Sequence, residues 1–308
     1  MKTSQHIINF LLILNLFSTT SLSADENKAR TGAYQTSFRE YSPLAHTHEM
    51  FARLLQPQLE KEYFEDLMPQ YTNNEHPGYA FDIKDEIWNV FVTKGYSDQE
   101  AYGLFVWINA DDNGAPRGDW KRVFRENKLI FIGAEASGND HDAVLRRAAL
   151  ALHAVYNMKK IYHIDENRIY VSGYSGGGRV ASWLAMGYGN VFTGGLFICG
   201  CNIPGGDQTK MPSKEAIKKI KVQNRYVFLT GDTDPNREIT QFIYNQYQSL
   251  KIQHLKYIQI PGMGHDIPAP EYLNKAIRFL DHAEKQVKKN TDVKKDTPSL
   301  PPLKLTFD

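Results

Sequence analysis

The amino-acid sequence predicts an α/β fold, a mostly parallel sheet enclosed by helices, on three observations. Short apolar runs rich in β-branched and aromatic residues recur at 104–108, 129–132, 169–171, 196–198, 226–229 and 255–260. Runs apolar on every residue suit strands covered on both faces. Helical patterns lie between them, at 143–156, 178–186, 213–220, 238–250 and 270–282. Strand and helix in repeated alternation imply parallel strands joined by helical crossovers. Third, a glycine-rich turn separates the 169–171 run from the next helical pattern.

The rest of the chain is read around that frame. Its 308 residues, 42% hydrophobic and 23% charged, have ordinary globular composition, enough for one large domain. With 36 basic and 35 acidic side chains the net charge is +1, so no global field would hold a nucleic acid or an anionic membrane. Residues 1–24 carry Lys2, an apolar run over 7–17 and then small residues, the pattern of a secretory signal peptide. That run is too short to span a bilayer. Export is expected, to the periplasm or the medium, with no integral membrane association after cleavage. Residues 25–75 read as a polar N-terminal extension with a helix over 48–67, followed by a hairpin of partly exposed strands over 79–92. The α/β domain is assigned to 76–284. Residues 285–308, rich in lysine and proline, read as a flexible polar tail. Cys199 and Cys201, two apart on an expected strand, are read as buried thiols because a disulfide there would need distorted geometry.

Chemistry concentrates in loops. Gly173-Tyr174-Ser175-Gly176-Gly177 has the G-x-S-x-G pattern in the context that gives it meaning, after a buried strand and before a helix. The turn strains the serine backbone, and its glycines let strand and helix approach. Ser175 is thereby expected at the carboxyl edge of the sheet, with the Gly176 amide at the helix N-terminus aimed where an oxyanion would develop. A serine hydroxyl needs a base and an orienting carboxylate to become a nucleophile. Asp232 and Asp234 follow the 226–229 run, and His265 follows the 255–260 run. His265 is the expected base and Asp234 its orienter, with Asp232 the competing carboxylate. Residues 134–140, including Asn139, end at the same edge, where open α/β sheets bind ligands.

The run from Ile164 through Ser175 to Ala181 resembles the nucleophile region of α/β-hydrolase serine esterases. The secreted dienelactone-hydrolase-like, polyhydroxybutyrate-depolymerase-like and feruloyl-esterase-like members are the most similar. Gly231-Asp232-Thr233-Asp234 and Gly264-His265 match the family's acid and histidine loops. The resemblance implies the α/β-hydrolase fold with an eight-stranded sheet, hydrolysis of a small-molecule or polymeric carboxylic ester, and no metal or organic cofactor. It also implies that the second oxyanion amide comes from the loop after the 104–108 strand, at Ala110 or Asp111. Here the chain departs from the His-Gly of many relatives and reads Asn109-Ala110-Asp111-Asp112-Asn113-Gly114. Carboxylates at 111 and 112 would repel an anion if they faced it. Only a short connection lies between Cys201 and Tyr226, so little or no lid is expected. Two other functions share this frame: a prolyl-oligopeptidase-like peptidase, and a binding protein that keeps the fold without catalysis.

Overall fold

A computed structural model describes residues 29–70, 75–206 and 209–281. The export signal expected over 1–24 and the tail expected over 285–308 lie outside the described residues. Eight strands form one sheet in the order β1-β2-β4-β3-β5-β6-β7-β8. They are β1 (Gly32–Thr36), β2 (Trp88–Val92), β3 (Tyr102–Ile108), β4 (Leu129–Ala134), β5 (Ile164–Tyr174), β6 (Gly194–Ile198), β7 (Arg225–Gly231) and β8 (His254–Ile260). The six strands β3 to β8 pair only in parallel with one another. β2 runs antiparallel to β4 and to the edge strand β1.

Side chains explain why this sheet is sandwiched. Along β3, Leu104, Val106 and Ile108 enter one core and Phe105 and Trp107 the other. β7 repeats the alternation with Tyr226 and Phe228 against Val227 and Leu229. A strand apolar at every position has no face for water, so helices must cover both sides. α3 (Trp120–Glu126) and α8 (Pro270–Asp281) bury Phe124 and Leu273 on one face. α4 (Ala149–Ile161), α5 (Gly176–Gly187) and α7 (Arg237–Ser249) bury Leu152, Leu184 and Tyr247 on the other. The connection from β6 to β7 carries the helix α6 (Lys214–Gln223). No helix among the described residues is long and apolar enough to cross a membrane.

Three expectations are corrected. The helix expected over 48–67 is broken: α1 (Thr47–Leu54) stops, Leu55 and Gln56 are extended, and Pro57 opens α2 (Pro57–Glu62). Proline lacks the amide a helix interior needs and pushes the preceding residue into extended backbone. The hairpin over 79–92 does not form. Only β2 is a strand, because Tyr79 and Phe81 pack on the His153 ring instead, and β2 takes β1, from the polar N-terminal stretch, as its outer partner. Finally, Cys199 leaves the strand with a left-handed φ of 55°. Cys199 and Cys201 are therefore buried free thiols flanking a turn rather than a pair on one strand face.

Candidate active site

The tip of β5 and the start of α5 hold Ser175 between them. Its backbone lies at φ 53° and ψ −117°, a region that costs a residue with a side chain about 1–3 kcal/mol. The surroundings enforce it. The Ser175 amide donates to the Ile198 carbonyl at 2.8 Å, and a Cβ on Gly200 would overlap the Ser175 carbonyl. Gly173 and Gly177 meet so closely that a Cβ on Gly173 would overlap the Gly177 carbonyl, and one on Gly177 the Ile108 carbonyl. Strand and helix therefore approach to backbone contact, and the hydroxyl is turned out at the carboxyl edge.

Two further loops meet Ser175 there. His265 Nε2 lies 2.9 Å from Ser175 Oγ, and His265 Nδ1 lies 2.8 Å from Asp234 Oδ1. Burial would raise the Asp234 carboxyl, but bonds from Thr230 Oγ1 (2.6 Å), the Asn236 amide (2.9 Å), His265 and Cys199 outweigh it and hold the group below its ordinary value. A carboxylate so held stays ionised and keeps the proton of the neutral ring on Nδ1, leaving Nε2 as an acceptor. Asp232 sits elsewhere, accepting from the Gly262 amide at 2.8 Å. The histidine loop is held from three sides. Tyr174 Oη donates to the His265 carbonyl at 2.8 Å, Arg117 Nη1 to Ile267 at 2.9 Å and Trp120 Nε1 to Pro268 at 3.0 Å. Asp234 is fully buried while His265 is 30% exposed, so the relay opens to solvent at its serine end.

The loop after β3 is laced to the loop after β4. The Asn139 amide donates to the Ala110 carbonyl and the Ala136 amide to the Asp112 carbonyl, both at 2.9 Å. Beneath them Arg147, buried, donates from Nε to the Ser137 carbonyl at 2.8 Å and from Nη2 to the Asn109 carbonyl at 2.7 Å. Burial pulls its guanidinium down to about 10, against the raising charges of Asp112 and Asp142. The two loop carboxylates are tied down. Asp111 Oδ1 accepts from Asn109 Nδ2 at 2.6 Å and the Asn113 amide at 2.9 Å. Asp112 Oδ1 accepts from the Gly138 amide at 2.9 Å and faces His141 Nε2 at 3.1 Å. Of the two amides considered in this loop, that of Ala110 is taken by Asn109 Oδ1 at 2.9 Å, whereas that of Asp111 donates to none of the described residues. Asn139 crowds Gly176, whose added Cβ would overlap its side-chain amide.

Sequence reasoning missed Arg147, Cys199 and the braces on the histidine loop. Arg147 had a signal, a charge inside the apolar stretch 143–156, but its partners come from two other loops. The Cys199 thiol touches Asp234, and burial with that neighbouring charge pushes it up to about 12, so it stays protonated as a donor. Cys199, Asp234 and His265 are the described residues whose donor atoms cluster within 4.8 Å as a metal site would require.

No family model and no curated protein matches the chain by sequence. Solved structures do match in fold. S-formylglutathione hydrolase from Staphylococcus aureus superposes with a TM-score of 0.51 at 11% identity, covering 64% of this chain and 93% of that one. A ferulic acid esterase gives a TM-score of 0.52 at 12% identity over 82% of this chain and 99% of its own. Sheet order, the strained serine turn and these neighbours define an α/β-hydrolase fold, with an eight-stranded, mostly parallel sheet covered by helices on both faces.

Proposed function

We propose that the protein is a serine hydrolase of carboxylic esters. The observation that carries this is the continuous line Ser175 Oγ, His265 Nε2, His265 Nδ1, Asp234 Oδ1, with links of 2.9 and 2.8 Å. In this reading His265 Nε2 takes the Ser175 proton as Oγ bonds to the ester carbonyl carbon. The Gly176 and Asp111 amides receive the carbonyl oxygen as it becomes an oxyanion, and Asp234 stabilises the imidazolium. Collapse breaks the bond to the alcohol oxygen, which leaves with the proton from Nε2. Water then repeats the sequence on the acyl-serine, with His265 as base, and frees the acid and Ser175.

The tied carboxylates of Asp111 and Asp112 support this reading, since the first is taken up by donors of its own loop and the second by the Gly138 amide of the loop after β4. The likeness in fold to a ferulic acid esterase accords with it. The substrate is a small-molecule or polymeric ester met after export. Hydrolysis of p-nitrophenyl acetate, together with labelling by a fluorophosphonate, tests the proposal: both should occur in the wild type and be lost in Ser175→Ala. Equal, negligible turnover in the two proteins with no labelling of either defeats it.

A further inference from the structure

Around Ser175 the acids and the bases are treated unequally. Asp111, Asp234 and Asp266 accept hydrogen bonds from amides of their own loops, and Asp112 and Asp232 accept from the Gly138 and Gly262 amides of neighbouring loops. The charge of Arg179 is not taken up by any of the described residues. Arg179 lies one turn into α5, its amide donating to the Ser175 carbonyl at 3.2 Å. Its carbonyl accepts from Ser182 Oγ at 2.7 Å and Asn202 Nδ2 at 3.3 Å, which fixes the first turn of the helix against the segment after β6. The side chain is half-buried, yet among the described residues its guanidinium makes no hydrogen bond or ion pair.

The other half-buried or buried arginines behave differently. Arg53 and Arg146 hold glutamates, Arg168 holds Asp281, and Arg147, Arg225 and Arg237 donate to backbone carbonyls. The Arg179 charge opposes the rise that burial gives the Cys201 thiol. Gly200, next to Cys201, packs on the Ser175 carbonyl. A planar fork of five donors, partly out of water and without an acceptor among the described residues, is matched to a carboxylate in bidentate geometry.

We infer that Arg179 forms an anion subsite beside the nucleophile, and that the preferred esters carry a carboxylate a few bonds from the scissile carbonyl. This deepens the ester-hydrolase reading and rests on it. The carboxylate could belong to the acyl part or to the alcohol part, and two substrate pairs separate these. Methyl hydrogen succinate against dimethyl succinate places it on the acyl side. O-acetylglycolate against its methyl ester places it on the alcohol side.

Acid release by the full-length protein is followed in a pH-stat, with rates counted per ester group. In one pair the charged-to-neutral ratio of kcat/KM should fall at least about tenfold in Arg179→Gln, the loss expected for a charge-assisted bidentate contact. Arg179→Lys, which keeps charge without the fork, should fall between. In the wild type the same ratio should shrink as salt is raised, an arm that needs no variant to fold. A ratio unchanged within twofold in both pairs, or fluorophosphonate labelling with no turnover of either charged ester, overturns the anion subsite alone. Absence of both labelling and turnover overturns the hydrolase reading beneath it.

Discussion

Replacing Arg147 by lysine separates two functions that the arginine joins. Its Nε and Nη2 reach carbonyls on different loops, Ser137 at 2.8 Å and Asn109 at 2.7 Å. A lysine ammonium is a point charge without the fork and can serve one carbonyl at a time. One charge-assisted bond in a buried setting is thereby lost, a cost of about 1.5–3 kcal/mol, and urea unfolding should report a stability loss of that size. The second effect is on catalysis. Asn109 opens the loop that carries the Asp111 amide, and loss of an oxyanion donor outright costs about 10²–10³-fold in kcat. Here the donor is loosened rather than removed, so kcat for p-nitrophenyl acetate should fall by roughly 10–100-fold. KM should move by less than about threefold, because the contact is made mainly in the transition state. A kcat within twofold of the wild type, alongside the expected stability loss, would refute the claim that Arg147 sets the position of this loop.

The choice between the two aspartates is sharper. Asp234→Asn should lower kcat/KM on the order of 10³–10⁴-fold by reversing the tautomer preference of His265, whereas Asp232→Asn, which loses only an exposed bond to the Gly262 amide, should change it by less than about threefold; the reverse ranking would transfer the orienting role to Asp232. His153 makes stability depend on pH. It is 1% exposed, its Nδ1 accepts from the Ser42 amide at 3.0 Å, and burial depresses its imidazole to about 3. Below about pH 6.5 the unfolded chain takes up a proton that the folded chain refuses, so this contribution is complete above that pH and is lost as pH falls, by about 1.4 kcal/mol per unit. Urea midpoints at several pH values from 6 to 4 should fall less steeply in His153→Gln, and parallel slopes would contradict the account.

How much of this was legible beforehand depends on the range of the interaction. The serine turn was legible because its cause is local: a side chain on Gly173 would overlap the Gly177 backbone. The parallel strands were legible for a related reason, since a strand such as β3, apolar at every position, can only be buried on both faces. The break at Pro57 is equally local. β1 was hidden because its alternating exposure and polar residues are those of an edge strand, recognisable only once β2 is in place beside it.

From the chain alone came the candidate groups and their order: a serine on a strained turn, two acids after one strand and a histidine after the next. Backbone sterics and hydrophobic alternation act over a few residues, so one dimension records them. The tertiary structure decided which aspartate faces the imidazole, which of the Ala110 and Asp111 amides is left to donate, what Arg147 ties together and that Arg179 has no side-chain partner among the described residues. Each of those depends on hydrogen bonds between segments tens of residues apart, and a donor's commitment to one acceptor is a property of their distance in space rather than of their positions along the chain.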